Sequence, residues 1–314
     1  MKKTAYFKSS DGKNDVFYCV WEPDGEIRFT VQLIHGMTEF IDRYETLAEY
    51  LCSQGAAVIG HDHIGHGHSA KPEDYGYFGA KDGHVHLVDD VGILHGIIAA
   101  EYPGLPHFIM GHSMGSFVLR SFLSRYGGKD LSGAVIEGTS GKNPATGIGI
   151  AFCGLIAKLC GPKRRSDLIN DLAFGSYNRR IKDPKSKKDW VCSDAELMAR
   201  YTSDPMCGFT FTVSAYRDMF RLLRYISSED AYRAYPAGLP TLFISGAEDP
   251  VGAYGKGPTE VVRKLREHGA KDVSLILYEN MRHEVHNEIG KEKVYEDIWS
   301  FITEHIEQNG EHRQ

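Results

Sequence analysis

The chain predicts an α/β architecture: a mostly parallel sheet with helices on both faces and one helical insertion. Three observations carry this reading. β-rich apolar runs alternate with amphipathic stretches through the first 139 residues, the alternation lapses between 140 and 235, and it then resumes. Strands that alternate with helices imply parallel pairing, and a parallel sheet is covered on both faces. With 314 residues and 42% hydrophobic composition, the chain can bury a large core in one domain carrying an insertion.

The elements follow in order. Asp15–Trp21 and Phe29–Ile34 are β-rich and stop at Pro23 and Gly36. Leu47, Ala48 and Leu51 have helical spacing within Tyr44–Gln54, which Gly55 ends. Ala57–Gly60 reads as a buried strand, Leu87–Tyr102 as a helix ending before Pro103, and His107–Met110 as a strand. Met114–Tyr126 is a helix closed by Gly127 and Gly128, and Leu131–Ile136 is the next strand. After the lapse come a strand at Thr241–Ser245, a helix at Gly257–Glu267, a strand at Val273–Tyr278 and a helix at Glu292–Ile306. The expected division is a core of residues 1–139 and 236–314, with residues 140–235 as an inserted helical cap.

Composition narrows the function classes. A net charge of −6 gives no general attraction for nucleic acid. The first residues, MKKTAYFKSSDG, hold lysines with no apolar run behind them and do not read as a secretory signal. The longest apolar stretch, GIGIAFCGLIA from Gly147 to Ala157, is shorter than the roughly 20 residues a membrane span needs. The six cysteines form no CxxC pair and read as free thiols in a reducing cytoplasm.

Ligands of such sheets sit beyond the C-terminal strand ends, so chemistry is sought just after each strand. After His107–Met110 comes GHSMG, Gly111 to Gly115, a G-x-S-x-G pattern between strand and helix. The pattern alone recurs by chance; its position gives it meaning, because the glycines allow a sharp turn that raises the serine hydroxyl above the sheet. A serine needs a base to become nucleophilic. Asp249 lies in GAEDPVG after one later strand, and His283 and His286 lie in ENMRHEVHNE after the next. Ser113, Asp249 and one of these two histidines follow the chain order of the α/β-hydrolase arrangement, with His283 the nearer to its strand end. The oxyanion donors then fall to the amides of Met114, after the serine, and Met37, in HGMTEF after Phe29–Ile34.

HGMTEFIDRYETLAEYL, HDHIGHGHS, GHSMGS, GAEDPVG and RHEVHNE follow one another as in the monoacylglycerol lipase and lysophospholipase (serine aminopeptidase S33-like) branch of the α/β-hydrolases, which the chain resembles from residue 35 to 288. The resemblance implies Ser113 as nucleophile, His283 as general base and acid, Asp249 as the orienting acid, and Met37 and Met114 as oxyanion donors. It also implies that Glu39, Arg43 and His286 lie near the alcohol pocket. The expected substrate is a small ester or a lipid monoester. No cofactor and no metal are required. Two other readings use the same triad: a short-acyl carboxylesterase and a proline-iminopeptidase-like peptidase.

The cap bears on substrate. Gly147–Ala157 could line an acyl tunnel or touch lipid, or it could simply pack on the core. Pro162–Lys188 holds nine Lys/Arg against three acids, which suits an anionic headgroup or merely a solvated face. Transient membrane-surface contact through the cap is one expectation; oligomeric state is left open.

HDHIGHGHSA, His61 to Ala70, raises a different chemistry. His61, His63 and His66 have the spacing of a zinc hydrolase motif, but Gly65 replaces its aspartate. The matching loop of the lipase branch carries no metal. His61, Asp62 and His63 are therefore expected as a hydrogen-bonded scaffold under the active-site rim, and His66 and His68 as loop surface.

Overall fold

The computed structural model describes residues 1–311. Eight strands form one sheet: β1 Lys2–Lys8, β2 Asp15–Trp21, β3 Phe29–Ile34, β4 Ala56–His61, β5 His107–His112, β6 Gly133–Glu137, β7 Thr241–Gly246 and β8 Val273–Tyr278. Their order is β1-β2-β4-β3-β5-β6-β7-β8. β1, β2 and β4 pair antiparallel, and every pairing from β4 through β3 to β8 is parallel. All residues of β3, β4, β5, β6 and β7 are buried, as continuous apolar runs in a doubly covered sheet should be.

Two cores clothe the sheet. On one face lie α1 (Glu45–Ser53) and α10 (Lys291–Glu311), which contribute Leu47, Leu51, Val294, Ile298 and Ile302. On the other lie α2 (Gly83–Glu101), α3 (Met114–Tyr126) and α9 (Lys256–Glu267), which contribute Leu87, Leu94, Val118, Leu123 and Val262. Between β6 and β7 run α4 (Thr146–Cys160), α5 (Asp167–Phe174), α6 (Ala195–Ser203), α7 (Val213–Ile226) and α8 (Glu229–Ala234). Among the described residues this segment has no strand, only an isolated bridge between Arg165 and Thr212. α7 joins the second core through Tyr216, Met219 and Leu222, and α4 lies along α7 with Ile148, Leu155 and Leu159 exposed. No helix among the described residues is long and apolar enough to cross a membrane.

The structure departs from the sequence expectations in three places. β1 escaped the sequence reading because an edge strand hides little: only Phe7 of its seven residues is buried. α2 starts at Gly83 rather than Leu87, and β6 starts at Gly133 rather than Leu131. Gly83 has no apolar side chain to announce it; a Cβ there would press on Phe78 and on the Asp218 carboxylate.

Candidate active site

β5 ends at His112 and α3 begins at Met114, so Ser113 alone makes the turn. Its backbone sits at φ 52°, ψ −120°, a strained conformation for a residue with a side chain. The flanking glycines allow it. A Cβ on Gly111 would lie 2.5 Å from the Gly115 carbonyl oxygen, and one on Gly115 would lie 2.2 Å from that of Ile34. The turn thus aims Ser113 Oγ at His283 Nε2, 2.7 Å away.

His283 follows β8, and its Nδ1 lies 3.0 Å from Asp249 Oδ2 in the loop after β7. The Val251 amide donates to Asp249 Oδ1 at 2.8 Å, which fixes the carboxylate. Burial alone would lower the His283 pKa, but the Asp249 carboxylate outweighs it and raises the pKa above the ordinary 6.5. Ser113, His283 and Asp249 therefore stand in one line, drawn from three strand ends. The Met37 and Met114 amides have no acceptor among the described residues, and both residues border the same cavity as Ser113.

A buried ionic network lies beside this line. The Arg43 guanidinium donates to both Glu284 oxygens, at 2.8 and 2.6 Å, and also pairs with Glu39. Glu39 Oε1 accepts from Tyr44 Oη at 2.9 Å and from the Gly36 amide at 2.5 Å, and lies 3.1 Å from His112 Nδ1. Burial would raise the pKa of both carboxyls, yet Arg43 holds Glu284 below and Glu39 well below the usual range. Glu39 borders the cavity; Arg43 and His286 do not. His286 is fully buried, its Nδ1 2.7 Å from Glu137 Oε1 and its ring stacked on Tyr44. Of the three residues expected near the alcohol pocket, Arg43 and His286 thus stop short of the cavity: Glu39 and Glu284 hold the guanidinium, and the Glu137 carboxylate at the end of β6 holds the imidazole.

Glu284, Glu137 and His112 went unread in the sequence, although each adjoins a motif residue or ends a core strand. Trp190, whose ring centroid lies 5.2 Å from that of His283, sits in the segment without periodic signal.

The histidine cluster is a core feature. His66 is fully buried rather than on the surface: Phe78, Phe209 and Phe211 surround its ring. His61 is buried, but its ring nitrogens have no hydrogen-bond partner among the described residues; the ring packs on Phe7 and His63. Asp62 accepts from the Ile41 and His68 amides, each at 2.7 Å, and His68 is exposed. Among the described residues no three His, Cys, Asp or Glu side chains are placed to hold a metal ion, so the zinc spacing finds no donor set. All six cysteines are free.

A strained serine at a strand-to-helix turn, with its acid and histidine on later strand ends, defines an α/β-hydrolase. The chain belongs to the family described as Serine aminopeptidase, S33, whose profile matches residues 25–290. It is 29% identical to a Mycolicibacterium smegmatis monoacylglycerol lipase over 93% of this chain and 94% of that one. It is 26% identical to the Homo sapiens monoglyceride lipase over 94% of this chain and 89% of that one. A thermostable carboxyl esterase from Bacillus coagulans, solved with glycerol, superposes with a TM-score of 0.91 at 30% identity, covering 97% of this chain and 99% of that one.

Two outcomes follow from these buried charges. Arg43→Met leaves Glu39 and Glu284 buried without a cation, and urea denaturation should show a loss of about 3–5 kcal/mol. Adding Glu284→Gln should recover part of it; an unchanged midpoint in the single variant contradicts this role. Burial lowers the pKa of His63 to about 4, of His66 and His107 to about 3, and of His35 and His61 well below 6.5. Their folded pKa values lie below the unfolded value, so this stability is present above pH 6.5 and is lost as pH falls. Each of the three valued histidines costs roughly 2 kcal/mol by pH 5. Asp62, raised to about 7 by burial, and the raised His283 and His286 act in the opposite direction. With His95 also lowered by burial, six histidines outnumber these groups and the raised Asp90, so the urea midpoint should drop between pH 7 and pH 5; a flat or rising midpoint refutes the balance.

Proposed function

We propose that the chain is a serine hydrolase of carboxylic esters with lipid-like acyl groups, of the monoacylglycerol or lysophospholipid type. One observation carries this reading: the Ser113–His283–Asp249 line opens into a cavity of about 940 Å³ with a largely apolar wall. That wall includes Phe117, Phe152, Met219, Phe220 and Leu223, which suits an acyl chain. Thr38, Glu39, Lys188 and Tyr201 add polar groups to the lining, which suits a hydroxylated alcohol. The names of the relatives support the same substrate class. Residues 140–235 act as a cap on the core formed by 1–139 and 236–314, supplying most of the acyl wall.

In this reading His283 Nε2 takes the Ser113 proton as Oγ attacks the ester carbonyl. The Met37 and Met114 amides stabilise the oxyanion. The ester C–O bond breaks, His283 protonates the departing alcohol, and the acyl group stays on Ser113. Water, deprotonated by His283, then releases the acid. Asp249 holds the imidazole and stabilises its charged form. Glu39 and Arg43 tune the alcohol side, with Arg43 and His286 acting through their neighbours rather than by contact.

The family name keeps a peptidase reading in view, and the Bacillus coagulans likeness a short-acyl esterase. A fluorophosphonate probe should label the wild type and not Ser113→Ala. In a panel of esters, medium and long monoacylglycerols or lysophospholipids should be turned over fastest. Activity confined to acetyl and butyryl esters, or to prolyl naphthylamide, replaces the lipid reading.

Ile148, Leu155, Leu159, Leu168 and Leu172 on α4 and α5 are exposed, with Lys158, Lys163 and Arg164 nearby in the chain. This face suits transient contact with an anionic lipid surface. Anionic vesicles should carry the protein in flotation, and Leu159→Glu with Leu172→Glu should reduce the bound fraction several-fold. Equal flotation of both proteins removes this contact.

A further inference from the structure

The loop that carries the Met37 amide is bound by imidazoles on both sides. His35 Nε2 accepts from the His63 amide at 2.9 Å, so the ring proton must sit on Nδ1. That Nδ1–H donates to the Gly36 carbonyl at 2.8 Å. Gly36 C=O and Met37 N–H belong to one trans peptide, in which carbonyl and amide point in opposite directions. Drawing the carbonyl toward His35 therefore aims the Met37 N–H the other way.

The next peptide is fixed from its amide. The Thr38 N–H donates to His66 Nε2 at 3.3 Å, and His66 Nδ1 faces the Ile64 carbonyl at 3.3 Å. His66 must therefore also carry its proton on Nδ1 and stay neutral. Thr38 itself has φ 55°, a conformation that a threonine keeps only when its surroundings impose it. The cause is local: His66 takes its amide, while its carbonyl accepts from the Gly208 amide at 2.9 Å. His63 completes the set, with Nε2 3.2 Å from the His35 carbonyl oxygen.

We infer that His66, acting with His35, is a positioning residue that aims the Met37 amide at the oxyanion, using Nε2 as a neutral acceptor for the Thr38 amide. His66 touches no reacting atom; it works through two consecutive peptides. Its aromatic surroundings keep it neutral, since burial among Phe78, Phe209 and Phe211 pushes it down to about 3. This inference rests on the serine-hydrolase reading of Ser113 and Met37. It gives the third histidine of HDHIGH a task in catalysis that needs no metal.

The test compares three substitutions by what they offer at the Nε2 position. His66→Gln can place an amide oxygen there. His66→Asn reaches only as far as Nδ1. His66→Phe fills the aromatic box with no acceptor at all. Ester hydrolysis and inhibition by a trifluoromethyl ketone, which forms a tetrahedral adduct on the serine, are measured for each. His66→Phe and His66→Asn should lose roughly tenfold to a hundredfold in kcat, with KM little changed and ketone affinity falling in parallel. His66→Gln should stay within a few-fold of the wild type in both. Three results overturn the inference: full kcat in His66→Asn, a fall in kcat with ketone affinity intact, or equal impairment of Gln and Asn. If His66→Phe does not fold, the Gln and Asn pair still decides. Wild-type ester turnover and fluorophosphonate labelling are read first; their absence faults the serine-hydrolase reading itself, whereas the ratios among variants judge only His66.

Discussion

The turn at Ser113 is the constraint around which the molecule is arranged. A serine at positive φ is held only if the backbone on both sides has nowhere else to go. Gly111 and Gly115 lie so close to each other and to the end of β3 that not even a methyl group fits. β3 is the central partner of β4 and β5, and α3 presses its first turn onto that strand's end. The strain is thus supported by the best-buried part of the sheet, and the loops after β3, β6, β7 and β8 take their places around it.

Charge then binds those loops to one another. Arg43 comes from the turn before α1, and Glu284 from the loop that also holds His283, 241 residues later. An ion pair this deep gives little net stability, because both partners have left water. Its value is directional: a forked guanidinium meeting a carboxylate tolerates little rotation. Glu39 links the same guanidinium to the Gly36 amide, so the loop after β3 and the loop that holds His283 share one anchor. Glu137 and His286 repeat the device behind them, at the end of β6.

Much of this was legible in the amino-acid sequence. Apolar runs bounded by glycine and proline located every central strand, and searching just past each strand end found Ser113, Asp249 and His283. What escaped detection lacked a local signal. β1 is an edge strand with one buried residue, so its pattern is that of a polar segment. Glu284 and Glu137 look like ordinary acids until folding sets them against Arg43 and His286, because pairing across such separations leaves no trace in spacing. His66 escaped for the same reason. Its glycine-flanked position suggested loop surface, but the Thr38 amide from the loop after β3 and the Ile64 carbonyl face its ring nitrogens and hold it in the core.

The helices between β6 and β7 have an evolutionary consequence. β6 and β7 are parallel neighbours, so a crossover between them is obligatory whatever its length. Lengthening a flexible connection costs little, on the order of 0.6 kcal/mol for each doubling. Most of the apolar lining of the cavity hangs on this connection, while the serine, its acid and its histidine hang on the strands. The lining of the cavity can therefore diverge rapidly among descendants, under weak selection from folding, while Ser113, Asp249 and His283 stay fixed on their strand ends.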